Sequence, residues 1–167
     1  MRMTLQIRRM KNQVSKASLQ LDLFNGISKN KILDHSFILN ILLKVLPMEK
    51  SISISLKFVG REEMKKLNWA YRKKDYVTDI ISFPGPGLIL EEKGELNYLG
   101  DIVVCLDYIE EEAIAMNKTK EAHWAHILIH GALHLLGYDH IYAADAIIME
   151  EKEIHYLNIL GYPNPYI

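Results

Sequence analysis

An α+β domain, a small mixed β-sheet packed against helices, is what this sequence predicts. Three observations lead there: short runs that alternate apolar and polar residues, longer runs of helical period, and an order of the two without the strict rhythm of a doubly wound sheet. A chain of 167 residues has the length of one domain. At that size about 70% of the unfolded surface can be buried, so one core suffices.

Leu19, Leu21 and Leu23 alternate with polar residues, and the segment up to Phe24 reads as a half-buried strand that ends at Asn25-Gly26. Phe37, Ile38, Ile41, Leu42 and Val45 recur at helical spacing until Pro47 stops them. Residues 51–59 alternate serine with isoleucine and leucine, a strand closed by Gly60. Residues 62–71 read as a helix and 78–83 as a strand. Pro84-Gly85-Pro86-Gly87 then opens a loop to about Asn97, long enough for a lid or for a plain surface excursion. Residues 99–106 are mostly apolar, as in a buried strand. Three helices complete the chain, over 108–116, over 120–136 with Thr119 as N-cap, and over 144–160 before Gly161. The last is expected to pack beneath the candidate site.

Composition excludes several classes. No apolar run reaches the roughly 18 to 20 residues that span a bilayer. The single Cys105 cannot form an internal disulfide, and its apolar surroundings suit a small core residue better than a nucleophile; a reducing cytoplasm is the natural setting. The formal net charge of −1 gives no general attraction for a polyanion. Charge is nevertheless segregated: Lys65, Lys66, Arg72, Lys73 and Lys74 gather in one segment, while Glu110 to Glu112 and Glu150, Glu151 and Glu153 gather elsewhere. Residues 1–16 carry Arg2, Arg8, Arg9, Lys11 and Lys16 and no acid, a pattern of a disordered tail, an RNA-contacting arm or a transit peptide.

The chemistry concentrates in His130, His134 and His140, spaced H-x-x-x-H-x-x-G-x-x-H with Gly137. On a helix His130 and His134 lie one turn apart on one face. A glycine after them can take the left-handed conformation that ends the helix and returns His140 beneath the pair. Three nitrogens with a fourth position for water describe a catalytic zinc site, whereas structural sites usually close with four protein ligands. Zinc proteases of the H-E-x-x-H kind carry their general base where this chain has Gly131. Peptide hydrolysis by that base is therefore disfavoured, and phosphodiester hydrolysis fits better. The glycine leaves space for a substrate or for a neighbouring helix. An anionic substrate calls for a cation beside the metal, and Arg72, where a helix gives way to a loop, is the best placed. His126 and Asp139 are candidates to support the ligands from outside.

The stretch 130–140, His-Gly-Ala-Leu-His-Leu-Leu-Gly-Tyr-Asp-His, resembles the signature of the bacterial YbeY endoribonucleases. Three further segments resemble the same family: 121–126 leading into the helix of His130 and His134, 99–104 in the strand before that helix, and 68–72 with 78–84 around Arg72. The resemblance runs from about Leu19 onward. It implies a zincin-like domain over residues 17–167, with the metal site at the C-terminal end of a central helix and residues 1–16 as a basic extension. It implies a single-strand-specific, zinc-dependent endoribonuclease that acts in maturation of the 3′ end of small-subunit rRNA and in ribosome quality control. One Zn2+ ion would be held by His130, His134 and His140 with a water, and His130 and Arg72 would serve the reaction. The implied partners are single-stranded rRNA, the small ribosomal subunit with one of its proteins, and the GTPase Era, with Asp101 on a contact surface; no membrane is involved. The competing readings are a ribosome-assembly factor with structural zinc and a metallopeptidase.

Overall fold

The structure, a computed structural model, describes residues 2–4, 18–24, 33–47, 51–86 and 97–167. Among these residues ten elements follow in the order β1 (Arg2–Thr4), β2 (Leu19–Phe24), α1 (His35–Val45), β3 (Ile52–Val59), α2 (Arg61–Arg72), β4 (Ile80–Pro84), β5 (Asn97–Cys105), α3 (Leu106–Ala115), α4 (Lys120–Leu135) and α5 (Ala143–Leu160). The strands form one sheet in the order β1-β2-β3-β5-β4. β2, β3 and β5 are mutually parallel, and β1 and β4 run antiparallel along the two edges. The sheet is small and mixed, as the alternation patterns predict.

Period-two alternation sorts side chains to two faces. Ile52, Ile54, Leu56 and Phe58 of β3 enter the main core beneath α1 and α4, where Trp124 is fully buried. Val59, Ile81, Val103 and Cys105 enter a smaller core with Met64 of α2. Cys105 is therefore a buried, free core thiol, and burial raises its pKa further. α4 lies at the centre, in contact with α1, α3, α5, β4 and β5.

Helix ends follow local chemistry. The Asp34 carboxylate accepts the Phe37 N–H at 2.7 Å to start α1, and the Thr119 hydroxyl accepts the Ala122 N–H at 3.2 Å to start α4; such caps stabilise by about 1 kcal/mol. At the other end of α4, Gly137 adopts φ +91°. Tyr138 N–H then bonds to Leu133 O and Gly137 N–H to His134 O, the paired bonds of a Schellman turn.

The structure moves some boundaries. β4 begins two residues later than expected because Asp79 Oδ1 accepts from the Thr78 hydroxyl and the Ile80 N–H, which makes a turn of that pair. β4 also runs through Pro84, which an edge strand tolerates because its missing N–H can face away from the ladder. β5 begins at Asn97 and α3 at Leu106, each two residues early. Three residues of the expected N-terminal extension, Arg2–Thr4, pair with β2 and so supply that strand's free edge with hydrogen bonds. The rest of the basic stretch, the Asn25-Gly26 turn and most of the expected 84–97 loop lie outside the described residues. Among the described residues no helix is long and apolar enough to cross a membrane.

Gly100 allows β5 to do two things at once. The register slips between Ser53 and Ile54 of β3, which pair with Tyr98 and Gly100, so Leu99 is bulged. Gly100 sits at φ +136°, and a Cβ there would overlap the Phe83 carbonyl of β4. Gly100→Ala should destabilise the protein by about 3 kcal/mol or more, read as a fall in the urea midpoint. A loss below about 0.5 kcal/mol would show that the bulge can relax without it.

Candidate metal centre

His130 and His134 occupy the last two turns of α4, and His140 follows the Gly137 turn. The three rings face one another: His130 lies 4.6 Å from His134 and 5.2 Å from His140, and His134 lies 5.0 Å from His140, between centroids. One nitrogen from each falls within 4.8 Å of the others. His130 and His134 are half-buried and His140 is exposed, so the group opens to solvent on the His140 side. The structure thus brings together the three histidines that the spacing singles out.

Donor chemistry tests whether a metal fits. The Nε2 atoms of His130 and His134 are 3.1 Å apart. Two tetrahedral ligands at about 2.0–2.1 Å from zinc would be roughly 3.3 Å apart. His130 directs its other nitrogen, Nδ1, to a carboxylate at 2.6 Å, and His134 bonds to the backbone of Tyr138. With their outer nitrogens engaged, two imidazole lone pairs face each other across a gap that a cation fits. Burial first, then His130 and His140, holds the His134 pKa down to about 4, so His134 is neutral and ready to ligate near neutral pH.

The carboxylate belongs to Glu153 of α5, one of the acids that gather at 150–153. Glu153 is 1% exposed. Its Oε1 meets His130 Nδ1, and its Oε2 lies 3.0 Å from His126 Nε2 and accepts the Tyr166 hydroxyl. Burial alone would raise its pKa, but the hydrogen bonds from His126, His130 and Tyr166 outweigh it and hold the group well below the usual carboxylate range. A signal was present in the sequence: Met149, Glu153 and Leu157 follow at steps of four and form the buried stripe of α5. An acid inside an apolar stripe needs a partner.

The other candidates fall as follows. His126 supports Glu153 and does not touch a histidine of the cluster through a hydrogen bond. Asp139 Oδ1 accepts the backbone N–H of its neighbour His140 at 2.7 Å, a turn bond that orders the chain between Gly137 and His140. Gly131 is buried against the sheet, where a Cβ would come within 2.5 Å of Ile80 Cδ1, and its carbonyl accepts the Ser82 hydroxyl at 3.1 Å. The neighbour packed on this glycine is the sheet, chiefly the edge strand β4, rather than the helix expected. Arg72 ends α2, exposed, ahead of Lys73 in a left-handed conformation. Beside it, Tyr71 packs edge-on against Phe83 of β4 at 4.7 Å. Asp101 is half-buried in β5 and hydrogen-bonded to Tyr98.

A central helix with two imidazoles one turn apart, a third returned by a glycine turn, and an antiparallel edge strand along the helix define a zincin-like domain with a histidine group that could hold a metal ion. The family model of endoribonuclease YbeY matches residues 25–161. The chain is 47% identical over 122 residues to the endoribonuclease YbeY of Wigglesworthia glossinidia brevipalpis, covering 72% of this chain and 78% of that protein. It is 46% identical over 113 residues to that of Stutzerimonas stutzeri, covering 68% and 69%. A Thermotoga maritima protein solved in solution superposes with a TM-score of 0.57 at 27% identity, over 85% of this chain and 90% of that one. The chain belongs to the endoribonuclease YbeY family, and with it to the enzymes that hydrolyse RNA phosphodiester bonds.

A second pair, a buried imidazole and a half-buried carboxyl, sets an acid response. His123 Nε2 lies 3.3 Å from Glu112 Oε2. Burial, with His126 and Lys118, lowers the His123 pKa to about 4, and burial, with Asp79, raises Glu112 to about 7. The unfolded chain takes up the His123 and His134 protons near 6.5, so their contribution is complete above pH 6.5 and is lost as pH falls toward 4. Glu112 acts oppositely: its contribution is complete below its ordinary 4.5 and is lost as pH rises to about 7. Two imidazoles oppose one carboxyl, so the urea midpoint of the metal-free protein should fall between pH 6.5 and 4.5. His123→Gln should flatten that fall. A midpoint that holds steady or rises on acidification would contradict the assignment.

Proposed function

We propose that this protein is a single-strand-specific, zinc-dependent endoribonuclease that matures the 3′ end of small-subunit rRNA and serves ribosome quality control. The observation that carries the reading is the open group of three imidazoles within the family's fold. His130, His134 and His140 would hold the ion, which supplies Lewis acidity toward a phosphate oxygen or a water. The packing of Gly131 against Ile80 supports a phosphodiester over a peptide substrate, since the position of the protease base is filled by a strand contact.

Arg72 binds phosphate in this reading, its planar fork matched to two oxygens of the anion. Its neighbour Tyr71 rests on Phe83, and Ser82 beside Phe83 is bonded to Gly131, so the end of α2 is tied through β4 to the metal helix. Single-strand preference has support on the same segment. Trp69, Tyr71 and Tyr76 are 55%, 66% and 53% exposed among Lys65, Lys66, Lys73 and Lys74. Unpaired bases stack on such rings while cations follow the backbone. The buried Asn68 amide donates to Tyr76 O at 2.9 Å and fixes the turn that presents them. Contacts with the small subunit, with one of its proteins and with the GTPase Era, Asp101 lying on a contact surface, belong to the same proposal, as does a cytoplasmic location.

The test is cleavage of labelled single-stranded rRNA fragments by purified wild type beside identically prepared His134→Ala and Arg72→Ala. The expected result is cutting by the wild type, none by His134→Ala, and a loss of about 10²–10³-fold for Arg72→Ala. Equal cutting by wild type and His134→Ala would assign the activity to a contaminant and favour an assembly factor without catalysis.

A further inference from the structure

Glu153 is more than a neighbour of the metal centre, because its two oxygens gather three polar partners. The Tyr166 hydroxyl donates to Oε2, His126 Nε2 lies 3.0 Å from the same oxygen and His130 Nδ1 lies 2.6 Å from Oε1, an arrangement in which each ring nitrogen donates to a carboxylate oxygen. A neutral imidazole carries one proton. Once Nδ1 of His130 holds it, the lone pair is left on Nε2, the atom that faces His134 at 3.1 Å.

We infer that Glu153 and Tyr166 are positioning residues of the metal centre, so that the segment after α5 is part of the site. Tyr166 and His126 pin Oε2 of Glu153, which keeps Oε1 aimed at His130 and holds that ring in the one tautomer able to ligate. This rests on the reading of the three histidines as a metal-holding group.

The segment is built to hold Tyr166 in place. Lys118, in the turn between α3 and α4, donates to the Pro165 carbonyl at 2.7 Å. The Tyr166 N–H bonds to Asn164 Oδ1 at 2.9 Å, and the Tyr166 ring meets His126 edge-on at 5.6 Å. Tyr166 is 47% exposed, and its hydroxyl contact with Glu153 and its ring contact with His126 are what the side chain contributes inward.

The experiment compares wild type, Glu153→Gln and Tyr166→Phe, each checked for fold by circular dichroism. Zinc affinity is read by competition with a chromophoric chelator, and the His130 tautomer by imidazole 15N resonances of the metal-free protein. Expected are a loss of affinity of about 10–100-fold for Glu153→Gln and about threefold to tenfold for Tyr166→Phe, each with a shift of His130 toward the other tautomer. A merely structural role would lower the melting temperature and leave the tautomer alone. Should Glu153→Gln not fold, Tyr166→Phe, which loses a single hydroxyl, decides. Folded variants with wild-type affinity and an unchanged His130 tautomer would overturn the inference. Failure of the wild type to bind zinc would instead defeat the metal-site reading, and the tautomer measurement, which needs no metal, would still decide what Glu153 and Tyr166 do.

Discussion

How closely α4 approaches the edge strand β4 is the constraint on which the rest of the site depends. Gly131 eases the approach, since a Cβ there would meet the Ile80 Cδ1 methyl at 2.5 Å and push that side-chain end aside, and the Ser82 hydroxyl fastens β4 to the Gly131 carbonyl. His130 is the residue before that glycine and His134 lies one turn beyond it, so their directions are set by a backbone held against the sheet. Gly100 plays the matching part within the sheet, where β4 and β5 meet too tightly for a side chain. The two glycines act on consecutive layers: one lets the edge strand lie close to its neighbour, the other lets the helix lie close to that strand.

Electrostatics adds a cost that the fold must offset. Removing a carboxylate from water costs several kcal/mol even after relaxation, and Glu153 is almost wholly removed. Three partners, two from α4 and one from the segment after α5, converge on it. Leu157 and Met149, four residues to either side, hold α5 against the core and so keep the acid from reaching solvent. Apolar packing of one helix thereby maintains a charged contact on another.

The sequence made the three histidines legible because a helix converts a spacing of four into a shared face, and because a glycine turn is a local event. Strands that alternate apolar with polar residues, such as β3, were legible for the same reason. Glu153 was not. It meets His130 across 23 positions, and what joins them is the packing of α4 on α5, which no local period encodes. Asp139 looked like the nearer supporter by sequence, yet a residue beside a ligand has its own backbone within easier reach, and it bonds there. The start of β4 was misjudged for a related reason: Thr78 has strand propensity, but the Asp79 side chain competes with the ladder for the Ile80 N–H. Gly131 stayed ambiguous because absence of a side chain says that space is needed without saying what fills it.

The two tryptophans occupy opposite environments, and this has an optical consequence. Trp124 is sealed within the main core near Phe58, whereas Trp69 stands in water on α2 among cations. Indole emission shifts to shorter wavelength in apolar surroundings, so the fluorescence of this chain is a sum of a blue component from the centre of the domain and a red one from its charged surface. Soluble quenchers reach only the second. The blue component therefore reports on the integrity of the core, and the red one on whatever comes to rest against α2.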